Sequence, residues 1–105
     1  MKYIITESKL TNIIFDYLNG QDLYMVEDKG DYYFWESKES WNNNGYFVIY
    51  ATHKRKDCFI SSDLLVEVSS FFNLELEVAL VIINKWVETK VGFGPLYPIS
   101  DYGSD

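Results

Sequence analysis

One cysteine, one histidine and two prolines in 105 residues leave little room for several kinds of protein. With Cys58 alone no internal disulfide can form, which fits a reducing compartment. A zinc site needs three or four protein ligands, and His53 with Cys58 falls short of that set. Long apolar runs are missing too. The longest, Val78 to Ile83, is six residues, against the ~20 that span a bilayer. Met1 to Glu7 carries too short an apolar stretch for a signal peptide and meets an acid at once. Positive charge is the scarcer sign, nine Lys and Arg against sixteen Asp and Glu, giving a net charge of −7. A field of that sign opposes nucleic acid and anionic lipid, whose capture rests on Lys and Arg neutralising phosphates. These absences predict a cytoplasmic protein with no cofactor, no membrane anchor and no evident small-molecule substrate.

What is abundant is apolar and aromatic. Hydrophobic residues make up 48% of the chain and aromatics 18%. At this length about 65% of the unfolded surface is buried on folding, so a core forms without staples. Disorder is excluded for most of the chain, because disordered segments lack these residues.

Periodicity gives the elements. Thr6 is placed to cap a helix with Glu7 in its first turn, and Leu10, Ile13, Ile14, Tyr17 and Leu18 form one apolar face that ends at Asn19-Gly20. Strands are predicted over 22–27 and 32–36, joined by the turn Asp28-Lys29-Gly30-Asp31. A polar stretch leads to Asn44-Gly45, a short-range hairpin signal, and the alternation of Tyr46 to Ala51 predicts the strongest strand. After a charged turn, Cys58 to Ile60 is a short fourth strand. Ser61, Ser62 or Asp63 caps a helix with a stripe of Leu64, Leu65, Val68, Phe71 and Phe72. Asn73 closes it and caps another, buried through Val78, Ala79, Ile82, Ile83, Trp86 and Val87 and stopped by Gly92. The expectation is an α+β domain over 1–92: an N-terminal helix, a four-stranded antiparallel meander, and two C-terminal helices on one sheet face. Residues 93–105 form an extended tail, since Pro95 and Pro98 bar a helix. It could dock on another subunit, pack back on its own sheet, or stay disordered.

Two stretches together resemble small proteins encoded by tailed bacteriophages and marine viral genomes. They are KYIITESKLTNIIFDYLN at 2–19 and VEVSSFFNLELEVALVIINKWVETKVG at 66–92, the latter a Phe-Phe pair, a turn, then a helix ending Trp-Val-Glu. The resemblance covers roughly two fifths of the chain. Its motif residues are core and cap positions, so it implies viral ancestry and expression in an infected cell rather than a chemistry.

No constellation points to catalysis. A nucleophile needs an activating base beside it, whereas Cys58 reads as core and His53 as an exposed turn. Glu27, Asp28 and Asp31 flank a turn, and Glu75 and Glu77 a helix N-terminus, both ordinary places for solvated acids. Gly92-Phe93-Gly94-Pro95 follows a helix, whereas phosphate loops precede one. The basic turn Lys54, Arg55 and Lys56, near strand tyrosines, offers a nucleic-acid reading, and three positive charges against −7 weigh against it.

The aromatic excess carries more. Helices cover one sheet face, and the other is normally polar, yet Tyr24, Tyr32, Tyr33, Phe34, Trp35, Tyr46, Phe47 and Tyr50 load both. Either the loop with Trp41 or the tail folds over the second face, or that face is a protein interface. The residues expected to bind protein are Tyr24, Tyr32, Trp35, Tyr46 and Tyr50 of the sheet, and Phe93, Leu96, Tyr97 and Tyr102 of the tail. Glu27, Asp28 and Asp31 form an acidic surface beside them. The expected function is non-enzymatic protein binding, in one form as an acidic inhibitor of a host system. A self-associating virion or assembly component is the alternative, and a nucleic-acid binder through 53–56 a further one.

Overall fold

The computed structural model describes residues 7–100. Leu10, partly buried, and Ile14 and Leu18, fully buried, recur at i, i+4 and i+8 and make the core-facing spine of α1, Glu7–Gly20. Ile13 falls to the side of that spine and is exposed. Thr6 lies outside the described residues. The left-handed conformation expected at Gly20 is taken instead by Asp22, at φ 53°.

β1, Tyr24–Asp28, and β2, Asp31–Trp35, form a tight hairpin in which Lys29 and Gly30 both take positive φ. The Asn44-Gly45 signal does not make a second tight hairpin. Ser37 accepts a hydrogen bond from the Ser40 amide at 3.1 Å and starts a short helix, α2, Lys38–Asn42. Asn44 then turns the chain at φ 59°, and Gly45 donates its amide to the Ser40 carbonyl at 2.7 Å. A Cβ on Gly45 would lie 2.9 Å from that same carbonyl oxygen, so glycine fits there for space. The regular strand therefore begins only at Ile49, as β3, Ile49–Thr52, three residues later than alternation predicts. β4 is Asp57–Ile60.

α3, Ser62–Phe72, is capped by the Ser61 hydroxyl, which accepts from the Leu64 amide at 3.3 Å. It buries Leu64, Leu65 and Val68, while Phe71 is left outside the stripe predicted for it. Asn73 ends α3 in the left-handed region, but Glu75, not Asn73, occupies the cap position of α4, Leu76–Val91. α4 buries Ala79, Ile82, Ile83, Trp86 and Val87; Val78, one residue off that face, is exposed. Gly92 closes it at φ 79°.

The tail corrects the four-stranded expectation. Tyr97–Ser100 is a fifth strand, β5, parallel to β4, in a sheet ordered β1-β2-β3-β4-β5. The meander holds for the first four strands. A parallel neighbour needs a crossover, and α3 with α4 supplies it. Pro98 is tolerated because β5 is an edge strand. Leu96, only 6% exposed, is part of the core and so not a residue of a free arm.

Phe34, Ile49, Ala51, Cys58 and Ile60 point from the sheet toward the helices and share one core with Ile14, Leu65, Ile83 and Trp86. No helix among the described residues is long and apolar enough to cross a membrane.

Candidate functional site

Side chains alternate across a strand, so residues opposite one another in the register share a face. The register aligns Val26, Tyr33, Tyr50, Phe59 and Ile99 in one row on the side away from the core. The Tyr33 and Tyr50 rings stack 4.7 Å apart at 23°, and Tyr50 and Phe59 5.8 Å apart at 18°. Phe47 closes on Tyr33, Trp35 and Tyr50 from the loop before β3. Trp41 of α2 rests on Tyr24 at 5.6 Å and on Trp35 at 6.4 Å, covering one corner. The Trp35 indole donates to the Gly45 carbonyl at 3.2 Å, which ties that corner to the loop. Phe47 and Trp41 remain about two fifths exposed, at 41% and 38%.

Beside this row the same register aligns Asp28, Asp31, Thr52, Asp57 and Tyr97. Burial, then the neighbouring Tyr50 and the Asp31 and Asp28 carboxylates, pushes the Tyr33 phenol up from its ordinary range. Arg55 pairs with Asp57 here at 3.7 Å.

Two grooves open around Tyr46, Phe47 and Val48. One, of about 480 Å³, runs between Leu23, Glu36, Ser40, Asp63, Leu64 and Glu67. The other, of about 600 Å³, passes Tyr50, Phe59, Ile60 and Arg55. Glu67 is oriented by Tyr17, whose hydroxyl donates to it at 2.6 Å; that bond, then burial, pushes the Tyr17 phenol up to about 12.

No protein-family model, curated protein or solved structure matches this chain. Its function has to be read from the residues themselves.

Of the residues expected to bind protein, Tyr24, Trp35 and Tyr50 meet on the open face, with Asp28 and Asp31 bordering them. Tyr97, 69% exposed, sits at the edge of the sheet, and Tyr46, 93% exposed, stands on the loop between the grooves. Tyr32 does not join them. It pairs with Glu27 and Ala51 on the helix side and packs on Phe93 at 5.7 Å. Glu27 is likewise across the sheet from Asp28, where it accepts the Gly30 amide at 3.2 Å. Phe93 lies under His53 and takes the Lys56 ammonium at 4.9 Å, so Lys56 is turned to the helix side. Lys54 is exposed at the turn tip. Tyr102 lies outside the described residues. Tyr33, Phe47, Phe59 and Trp41 belong to the face but not to the expected set. Strand period was the available signal: Tyr33 and Trp35 are two apart, whereas Tyr32 and Trp35 are three apart and must diverge.

Cys58 faces the core, fully buried, and His53 is exposed with its ring 4.7 Å from that of Phe93. Burial, with the Glu88 carboxylate adding to it, pushes the Cys58 thiol up to about 12 from an ordinary 9.0. A raised thiol supports the fold fully below pH 9, and that support is lost as the pH rises toward 12. At pH 8 the native thiol is expected to react with a thiolate-selective reagent at least about a thousandfold more slowly than the urea-unfolded chain. Equal rates in the two states would show that Cys58 is accessible.

Proposed function

We propose that this chain is a non-enzymatic protein-binding module that docks another protein on the open aromatic face of its sheet. The observation that carries this reading is the row Tyr33, Tyr50 and Phe59 with Trp35, Trp41 and Phe47, on a face that the three long helices leave uncovered. An open antiparallel face is ordinarily polar. Rigid aromatics supply large contact area at low entropic cost, and they concentrate where proteins meet. The resemblance at 2–19 and 66–92 supports a phage-type chain at work in the cytoplasm of an infected cell, with block of a host system as one outcome of docking.

Nucleic acid fits the face less well. Stacking platforms need free ring faces, and rings 4.7 Å apart leave no gap for a base, which needs about 3.5 Å on each side. Arg55 is paired with Asp57, and Lys56 is engaged by Phe93. Self-association is the second reading, favoured by a separate apolar patch on the helix side. There Phe71, 67% exposed, packs on Tyr17 and Phe72.

A photo-crosslinking residue at Phe47 is expected to capture a discrete partner protein in cells, whereas the same residue at Val81, exposed on α4, captures none. Capture from Val81 alone, or from neither position, would refute docking at the sheet.

A further inference from the structure

We infer that the occupant of this face is a basic, amphipathic protein segment, with apolar side chains on Phe47, Tyr50 and Phe59 and an arginine or lysine head among Glu36, Asp63 and Glu67. The inference rests on the docking reading above and adds the chemistry of the partner. The two grooves adjoin, with Tyr46, Phe47, Val48, Ser61 and Asp63 lining both, so one short segment laid across Tyr46 reaches into each. The two differ in kind. The sheet-side groove is lined mainly by aromatic and aliphatic groups, with Ser61, Ser62 and Asp63 at the rim it shares with the other. Arg55, the cation that lines it among the described residues, is already paired with Asp57.

The helix-side groove is lined by three carboxylates, Glu36, Asp63 and Glu67, and by no positive side chain among the described residues. One of them, Glu67, is held by the Tyr17 hydroxyl, which fixes its orientation before anything binds. A partly enclosed cleft of one sign focuses its field and raises the local concentration of the opposite charge. Tyr46, 93% exposed at the junction, offers a free ring face to a cation. An anionic segment would meet like charge here in a chain already at −7. A second copy would bring the same −7, and of its basic turn Arg55 and Lys56 are engaged internally while Lys54 is left exposed as a lone charge. An uncharged segment would leave the carboxylate-lined groove unmatched.

Three synthetic heptapeptides test this against the full chain: alternating Arg-Leu, alternating Ser-Leu and alternating Glu-Leu, followed through the indole NMR signals of Trp35 and Trp41. Arg-Leu is expected to bind at least tenfold more tightly than Ser-Leu, and Glu-Leu not to bind. Glu36→Gln with Asp63→Asn should weaken Arg-Leu at least tenfold. Asp16→Asn with Glu77→Gln removes the same charge from exposed helix positions and should change it less than threefold. Ser-Leu binding as tightly as Arg-Leu, with both lost in Phe47→Ser, would overturn the basic partner while leaving the face a docking surface. Arg-Leu weakened equally by both charge pairs would reduce the effect to net charge and also overturn it. No peptide binding, or binding untouched by Phe47→Ser, would overturn the docking reading itself. A chain that light scattering finds dimeric, with the face covered and Arg-Leu excluded, would assign the face to a second copy and overturn the inference.

Discussion

Deleting the chain from Phe93 onward is expected to unfold it rather than trim it. Leu96 is buried, and losing a buried leucine side chain costs about 2–5 kcal/mol. The Leu96 amide donates to the Glu88 carboxylate at 2.7 Å, and its carbonyl accepts from the Asn84 side chain at 3.0 Å. Asn84 is itself buried, so deletion leaves its amide without that acceptor, at a cost of about 1–3 kcal/mol. The Tyr97 amide donates to the Lys56 carbonyl at 2.7 Å, and the β4–β5 ladder goes with it. Against a total stability on the order of 5–15 kcal/mol these losses are decisive. Urea titrations followed by circular dichroism should give a cooperative transition for the full chain and little or none for 1–92. A matching midpoint for the two would show that β5 is dispensable.

Trp86→Ala should be the most damaging single substitution. Trp86 is 3% exposed, packs on Phe34 at 5.7 Å between ring centres, and donates its indole N–H to Asn19 at 3.0 Å. It thereby ties α4 to both the sheet and the end of α1. Removing a buried tryptophan costs about 3–5 kcal/mol. Trp86→Phe retains most of the packing and loses the hydrogen bond, so about 1–2 kcal/mol is expected. Val81→Ala, at an exposed site on the same helix, should stay within about 0.5 kcal/mol. The ordering is read from urea midpoints at unchanged slope. Trp86→Ala falling beside Val81→Ala would mean that the tryptophan is not the keystone of this core.

The three long helices and the first four strands are legible in the sequence through local pattern, whereas α2, five polar-rich residues without a period, is not. Leu10, Ile14 and Leu18 mark α1, and Ala79, Ile83 and Trp86 mark α4, whatever packs against them. The fifth strand is not legible in that way. Tyr97 to Ser100 contains Pro98, and its pairing with Asp57 to Ile60 is a long-range event with no local turn to announce it. The face follows a similar division. An aromatic surplus is visible in composition, but which rings share a side depends on register. Counting Tyr32 with Trp35 crosses the sheet, while Phe59 becomes a face residue only because Cys58 and Ile60 beside it go inward. Asn44-Gly45 misleads for a comparable reason. The same two residues that close hairpins also end short helices, and the Ser37 cap decides between them here.

The two margins of the sheet carry the remaining consequence. Strand edges recruit other strands, and an exposed apolar face beside a bare edge invites fibre growth. Here one margin, β1, carries Glu27 and Asp28, both exposed, and the other, β5, carries Pro98, which has no amide hydrogen to donate. Charge therefore guards one end and a missing donor the other. A molecule built this way can keep its aromatic surface open to solvent at high concentration without its sheets stacking edge to edge.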